Sequence, residues 1–465
     1  MSLASCLAAI RGFKLEVHER RTLAAFLVVA LLLSVVPVVN TIRKSNPNKD
    51  YGTWYTVGHL VRENKPIYPP EISEFSHNFF YPPAIASLLY APVSYAGKVG
   101  LVLILCALSA AGHVVTSWLS VYFVTGRIRG QPMVLYVVPY VLSVPFWWDI
   151  YILGQLNLTL LGVMMLGFVA LEHKRPVAAG ACLALSAAAK AFPLTAIGYL
   201  IWRRHWVAVG SMLATLVLVL VILPSPIRGF DRNLQELTTW TERMLLNNTG
   251  QTLANQPDRG YRYGNQTLLS VVHRLTRPLP VGKISDGDMT VNFVTISARS
   301  AFLIFIVLAG GMCLAYVWAM PPRGERTRRT NAIEYSILLI LIVVFSPKAG
   351  SYYYCWMIPG FTVVMAELLD SPKRSVRRRW ILAGFGLSVL VLSTALTQHF
   401  DRHAQGMGAT MWGSVILFVL LVGILRDRSL QLKALSRGHE AVSAGGHDPV
   451  DEQTSQRRSG AQSSN

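Results

Sequence analysis

Alternation of apolar and polar positions divides the chain into long apolar runs joined by short basic loops. Residues 23–39 form the first run; Arg11, Lys14, Arg20 and Arg21 precede it and no small-residue cleavage site follows, so it reads as an uncleaved outward span. Further runs at 98–124, 133–148, 155–171, 207–223, 301–320, 332–345, 352–369, 381–396 and 411–425 alternate in direction. Their basic connections (Arg127 and Arg129, Lys174 and Arg175, Arg323 to Arg329, Lys373 to Arg379) then share one side, the cytoplasmic side by the positive-inside rule. The pattern predicts ten full spans and both termini inside. It implies an all-α polytopic membrane bundle over residues 1–425, followed by a disordered cytoplasmic tail at 426–465.

Two runs depart from this alternation. Residues 82–92 are too short to cross, at roughly 1.5 Å per residue against a core of about 30 Å, and read as a half-inserted or surface helix on the outer side. Residues 177–202 are long enough, but a crossing would put Arg203, Arg204 and His205 outside, and Lys190 and Pro193 interrupt the run. Two half-helices that enter and return on the cytoplasmic side satisfy both constraints, a form tolerated only against protein or a polar cavity. Lys190 then either caps carbonyls at the break or serves a function, on the cytoplasmic side and far from any external site.

The outer side carries two loops, at about 40–97 and 224–298. In the first, Asp50 begins an amphipathic segment with Trp54, Val57, Leu60 and Val61 on one face and Arg62, Glu63 and Lys65 near its end. Asp50 is either a helix cap or a base, since a carboxylate near the apolar boundary is made more basic by desolvation. The second loop carries Trp240, Asn265 and Gln266. It far exceeds the 12–15 residues of an ordinary connection and contains enough apolar side chains to fold, which points to function.

Composition supports the membrane reading. Of 465 residues, 52% are hydrophobic and 14% charged, where a soluble chain carries about a quarter charged. A net charge of +19 could signal nucleic acid, but the basic residues sit in short loops where anionic headgroups account for them. Cys6, Cys106, Cys182, Cys313 and Cys355 are scattered, which indicates neither a disulfide framework nor a metal cluster.

Five stretches stand out in order. They are Asp50 to Tyr55 with Tyr81-Pro82-Pro83, Gly154-Gln155-Leu156-Asn157, Ala179-Gly180 through Lys190 to Pro193, Gly264-Asn265-Gln266-Thr267-Leu268, and Ser346-Pro347-Lys348 running into Tyr352-Tyr353-Tyr354. Together they resemble the polyprenyl-phosphate-sugar-dependent glycosyltransferases of the GT-C superfamily, most closely the GT87 (DUF2029) mannosyltransferase-like proteins. The resemblance implies a transferase in the inner cell membrane that moves a hexose, mannose foremost, from a polyprenyl-phosphate donor. A lipid-linked or glycan acceptor on the non-cytoplasmic face would receive it, with inversion and without a cofactor or nucleic acid.

On this resemblance Asp50 is the catalytic base. Lys348, Arg259 and Arg262, with Arg274 beside them, are the cations available to the donor phosphate. His59, Tyr81, Gln155, Asn157, Asn265, Gln266 and Tyr353 are the substrate-binding candidates, and His77 shares the first loop. Tyrosines stand where the family's last motif has histidine, which leaves Lys348 as the substitute phosphate ligand or as an interfacial lysine reaching for headgroups. Gln155 and Asn157 either bind sugar or tie helices together. The alternative function is a lipid-linked sugar flippase or transporter without bond chemistry, but such proteins place ionisable residues at mid-span and often show repeated halves.

Overall fold

The computed structural model describes residues 16–44, 50–68, 79–127, 129–242, 261–282, 289–397 and 402–445. Among these residues the regular structure is helical, without strands. The chain is an all-α polytopic membrane protein. Its first half comprises α1 (Val17–Lys44), α2 (Asp50–Arg62), α3 (Pro83–Ser94), α4 (Gly97–Thr125), α5 (Val134–Leu142), α6 (Val144–Leu153), α7 (Asn157–Glu172) and α8 (Pro176–Ala189). After these come α9 (Phe192–Trp202), α10 (Trp206–Arg228), α11 (Phe230–Trp240), α12 (Leu268–Thr276), α13 (Ala298–Ala319), α14 (Arg328–Val344), α15 (Ile358–Asp370), α16 (Val376–Ser393) and α17 (Ala409–Gly445).

The span count differs from the ten anticipated. Among the described residues six helices are long and apolar enough to cross a bilayer, namely α1, α4, α10, α13, α16 and α17, or seven if α5 and α6 count as one. That pair bends by 64° at Ser143, whose hydroxyl donates to the carbonyls of Pro139 and Tyr140 at 2.8 and 3.0 Å. Pro139 and Pro145 flank the bend and remove the amide donors that would have kept the helix straight. Helices α7, α14 and α15 run for 16, 17 and 13 residues and bury most of their surface inside the protein. These three fall short of the length that a lipid-exposed span needs, which is why they stand outside the six. By contrast α10 and α13 have only 11% of their most apolar windows buried, and they present that surface to lipid.

The run 177–202 is broken as anticipated. Helix α8 stops because Lys190 is extended, at φ −146° and ψ 122°, and Pro193 keeps α9 from continuing it. Both outer ends of the resulting hairpin lie at the N-terminal end of α14. Glu172, before α8, accepts from Asn331 at 2.7 Å and Tyr335 at 3.0 Å. Arg203, after α9, forms a buried ion pair with Glu334, whose other oxygen accepts from Tyr199 at 3.0 Å. The small-residue run of α8 explains its close packing on α10: a Cβ at Gly180 would collide with the backbone at Ala208 and Met212.

Residues 82–92 fall in α3, which contains a π-helical turn at Ala86–Tyr90 and packs against α2. At the chain's end, α17 does not stop at 425 but continues to Gly445. Asp427 receives Arg377 at 2.8 Å and Arg428 pairs with Glu367 at 3.0 Å, so the anticipated tail boundary falls inside a helix that is tied to α15 and α16.

Candidate functional site

The site is built from the start of α2 and the turn between α6 and α7. Helix α2 buries Tyr51, Trp54, Val57, Gly58 and Val61, close to the amphipathic face read from the sequence. Two of these side chains fasten it to the C-terminus of α6: the Tyr51 hydroxyl donates to the Tyr151 carbonyl at 2.7 Å, and the Trp54 indole to that of Gly154 at 2.8 Å. Trp54 also stacks on Tyr90 of α3, with ring centroids 5.0 Å apart. Gly154 has φ +83°, and a Cβ there would lie 2.7 Å from the Tyr51 ring, so the turn requires glycine on both counts.

This fastening places Asp50, the first residue of α2, against Gln155, whose amide nitrogen donates to Asp50 Oδ2. Gln155 is 2% exposed, and its oxygen accepts from two donors: the Tyr81 hydroxyl at 2.9 Å and the Lys190 ammonium at 2.7 Å. The same ammonium donates to Asn157 Oδ1 at 2.6 Å and lies 4.7, 5.3 and 4.8 Å from the ring centroids of Tyr81, Tyr352 and Tyr353. Asn157 is fully buried; its nitrogen donates to the Tyr352 carbonyl at 3.4 Å and its carbonyl accepts from Trp356 at 3.0 Å. Enclosure of the Tyr81 hydroxyl end pushes its phenol well above the ordinary value, so at neutral pH it is a donor to Gln155. Next to this cluster, Asp149 accepts from Ser351 at 2.7 Å.

Lys190 therefore lies beside the candidate base, not far from it as anticipated. The charge rule located the ends of the hairpin correctly relative to one another but carried no information about its depth. At about 1.5 Å per residue, the 14 residues of α8 reach some 21 Å, most of the way through the core. Lys190 in an apolar run was the available signal.

The remaining candidates divide by location. Lys348 is exposed, with its ammonium 4.4 Å from the Phe80 ring centroid; Phe80 precedes Tyr81, so this cation sits on the rim of the cluster. Asn265 and Gln266 hold the Lys348 loop from below. The Ala349 amide donates to Asn265 Oδ1 at 3.1 Å, the Gln266 amide donates to the Ala349 carbonyl at 2.8 Å, and Asn265 Nδ2 donates to the Pro347 carbonyl at 3.4 Å. Arg262 is half-buried in the segment leading to them. Arg274 is fully enclosed and donates to the carbonyls of Gly406, Arg262 and Asn265 at 2.7, 3.0 and 2.6 Å. It braces that segment and is withdrawn as a phosphate ligand, because its donors are already engaged.

His59 is exposed on the opposite face of α2, 3.2 Å from Glu63, whose carboxyl Lys65 holds below its ordinary value. Arg259 and His77 lie outside the described residues. Among the described residues, no group of three or more His, Cys, Asp or Glu side chains is placed to hold a metal ion.

The family model described as glycosyltransferase family 87 matches residues 79–347, more than half of the chain. The matched range includes Tyr81, Gln155, Asn157, Lys190, Asn265 and Gln266, and Asp50 lies upstream of it. Comparison with curated proteins finds no match. Among solved structures, the chain is similar to ArnT from Cupriavidus metallidurans bound to undecaprenyl phosphate, with 13% identity over 88% of this chain and 77% of that one and a TM-score of 0.35. That similarity is too distant to carry a substrate across.

Proposed function

Because the chain belongs to glycosyltransferase family 87, we propose that it transfers a hexose, mannose foremost, from a polyprenyl phosphate to a lipid-linked or glycan acceptor on the non-cytoplasmic face. The observation that carries this reading is the Asp50 carboxylate, fastened by Gln155 at the meeting point of α2, the α6–α7 turn and the tip of the α8–α9 hairpin. Asp50 takes the proton of the acceptor hydroxyl as its oxygen attacks the anomeric carbon. The bond from that carbon to the phosphate oxygen breaks, and the electron pair leaves with the polyprenyl phosphate. A phosphate monoester dianion leaves without a general acid, so one carboxylate suffices, and attack opposite the phosphate inverts the anomeric centre.

Lys348 on the rim is the first cation for the phosphate and Arg262 the second. Tyr81 and Tyr353, with Tyr352, offer ring faces to the sugar. Gln155 and Asn157 orient the groups around it. Asn265 and Gln266 act by holding the loop that carries Lys348, and His59 has no part in the step.

Membranes containing the protein, supplied with a panel of labelled polyprenyl-phosphate sugars, test the reading. Transfer of label to an acceptor is the expected result. Movement of an intact labelled lipid across the bilayer, with no transfer from any donor, would establish the flippase instead.

A further inference from the structure

Gln155 bridges two groups of opposite charge, and each demands a different end of its amide. Lys190 and Tyr81 are both donors to its oxygen, which turns the NH2 group toward Asp50. Were the amide reversed, its NH2 group would face the ammonium and its oxygen the carboxylate, losing three bonds at a buried site. Lys190 is itself held in one place by Asn157 and by three tyrosine rings, and it is 5% exposed. Its bonds are made to neutral amides, so its charge is not cancelled locally by a carboxylate in contact.

We infer that Lys190 is a positioning residue for Asp50: through Gln155 it fixes the carboxylate's orientation, and by its charge it keeps that carboxylate ionised and ready to accept a proton. The inference rests on the reading of Asp50 as the base. Among the groups that feel the charge of Asp50 are Lys190 from the hairpin tip, Tyr81 ahead of α3, Tyr90 within α3, and Tyr352 and Tyr353 from the turn before α15. Asp149 interacts with Tyr352, and Lys348 sits on the rim. The tyrosines are neutral donors, so removing Lys190 takes a cation from the carboxylate's surroundings. An opposite charge within about 4–6 Å favours the ionised form by about one to three pH units.

The test needs no knowledge of the donor. The infrared band of a protonated carboxyl, taken as the difference between each protein and the same protein carrying Asp50→Asn, gives the pH midpoint of Asp50 directly. Lys190→Met is expected to move that midpoint upward by about one unit or more, and Lys190→Arg to keep it nearer the native value. Lys190→Gln, which can still bond to Gln155, is read in its place should Lys190→Met fail to fold. An unmoved midpoint in a folded neutral variant overturns the inference and leaves Lys190 as an anchor for the hairpin. In the transfer assay with polyprenyl-phosphate mannose, the acidic limb of the pH–rate profile should shift in the same direction. Should the native protein transfer from no donor, the proposed function fails while the infrared titration still decides the role of Lys190.

Discussion

At the scale of single residues, the site depends on a few side chains whose partners are fixed by burial. Gly154 joins the chemistry to the fold, because Tyr51 and Trp54 of α2 both rest on the turn it forms. Gly154→Ala combines an unfavourable positive φ with a collision against the Tyr51 ring. It should lower stability by more than about 1 kcal/mol, seen as a lower thermal unfolding midpoint in detergent. An unchanged midpoint would mean that α2 is not seated as described. Lys348, by contrast, is exposed and can be removed without disturbing packing. Lys348→Ala is expected to weaken donor binding and slow turnover, with Lys348→Arg keeping part of both, since charge matters more than shape for a point contact. Unaltered donor kinetics would return Lys348 to the role of an interfacial lysine over Phe80. The candidates Asp50, Tyr81, Gln155, Asn157 and Tyr353 came from motifs that resemble the family's, and the structure brings them into one cluster. Which of them touch was not legible, since bonds such as Gln155 to Asp50 span 105 residues and depend on helix seating that no local pattern encodes.

At the scale of elements, the α8–α9 hairpin determines where the buried cation sits, and its ends are secured by ion pairs. Arg203 and Glu334 are 5% and 0% exposed in their side chains, and Arg326 approaches the same carboxylate at 3.8 Å. Removing one partner of a buried pair typically costs about 3–5 kcal/mol, and Arg326 should keep Arg203→Met near the lower end. The double variant Arg203→Met with Glu334→Leu should recover part of the loss; no recovery would show that the pair is not the principal tie. The hairpin also makes a prediction about sidedness. Cysteines at His173 and Arg204, both exposed, should react with a membrane-impermeant reagent from the same side. Reaction at one site alone would mean that the run crosses. The break itself was readable from Lys190 and Pro193 in the sequence. The hairpin's depth was not, and neither was the bend at Ser143 or the persistence of α17 past 425, because apolar length says how far a helix can reach and not what surrounds it.

At the scale of the whole molecule, lipid-facing helices such as α10 and α13 enclose shorter buried ones, and the polar cluster forms where the buried helices start and stop. Broken and short helices free backbone groups and admit polar side chains at depths where continuous spans cannot. The architecture thus gathers a carboxylate, a buried cation and three tyrosine rings at one place. The central claim is that Asp50 accepts the acceptor's proton, and Asp50→Asn examines it most directly. Asparagine caps a helix about as well as aspartate, so the variant should express, insert and bind polyprenyl-phosphate mannose like the native protein. Loss of general-base catalysis costs about a hundredfold to ten-thousandfold, so its rate of sugar transfer should fall at least about a hundredfold. Transfer at a near-native rate by the folded Asp50→Asn protein would contradict the account.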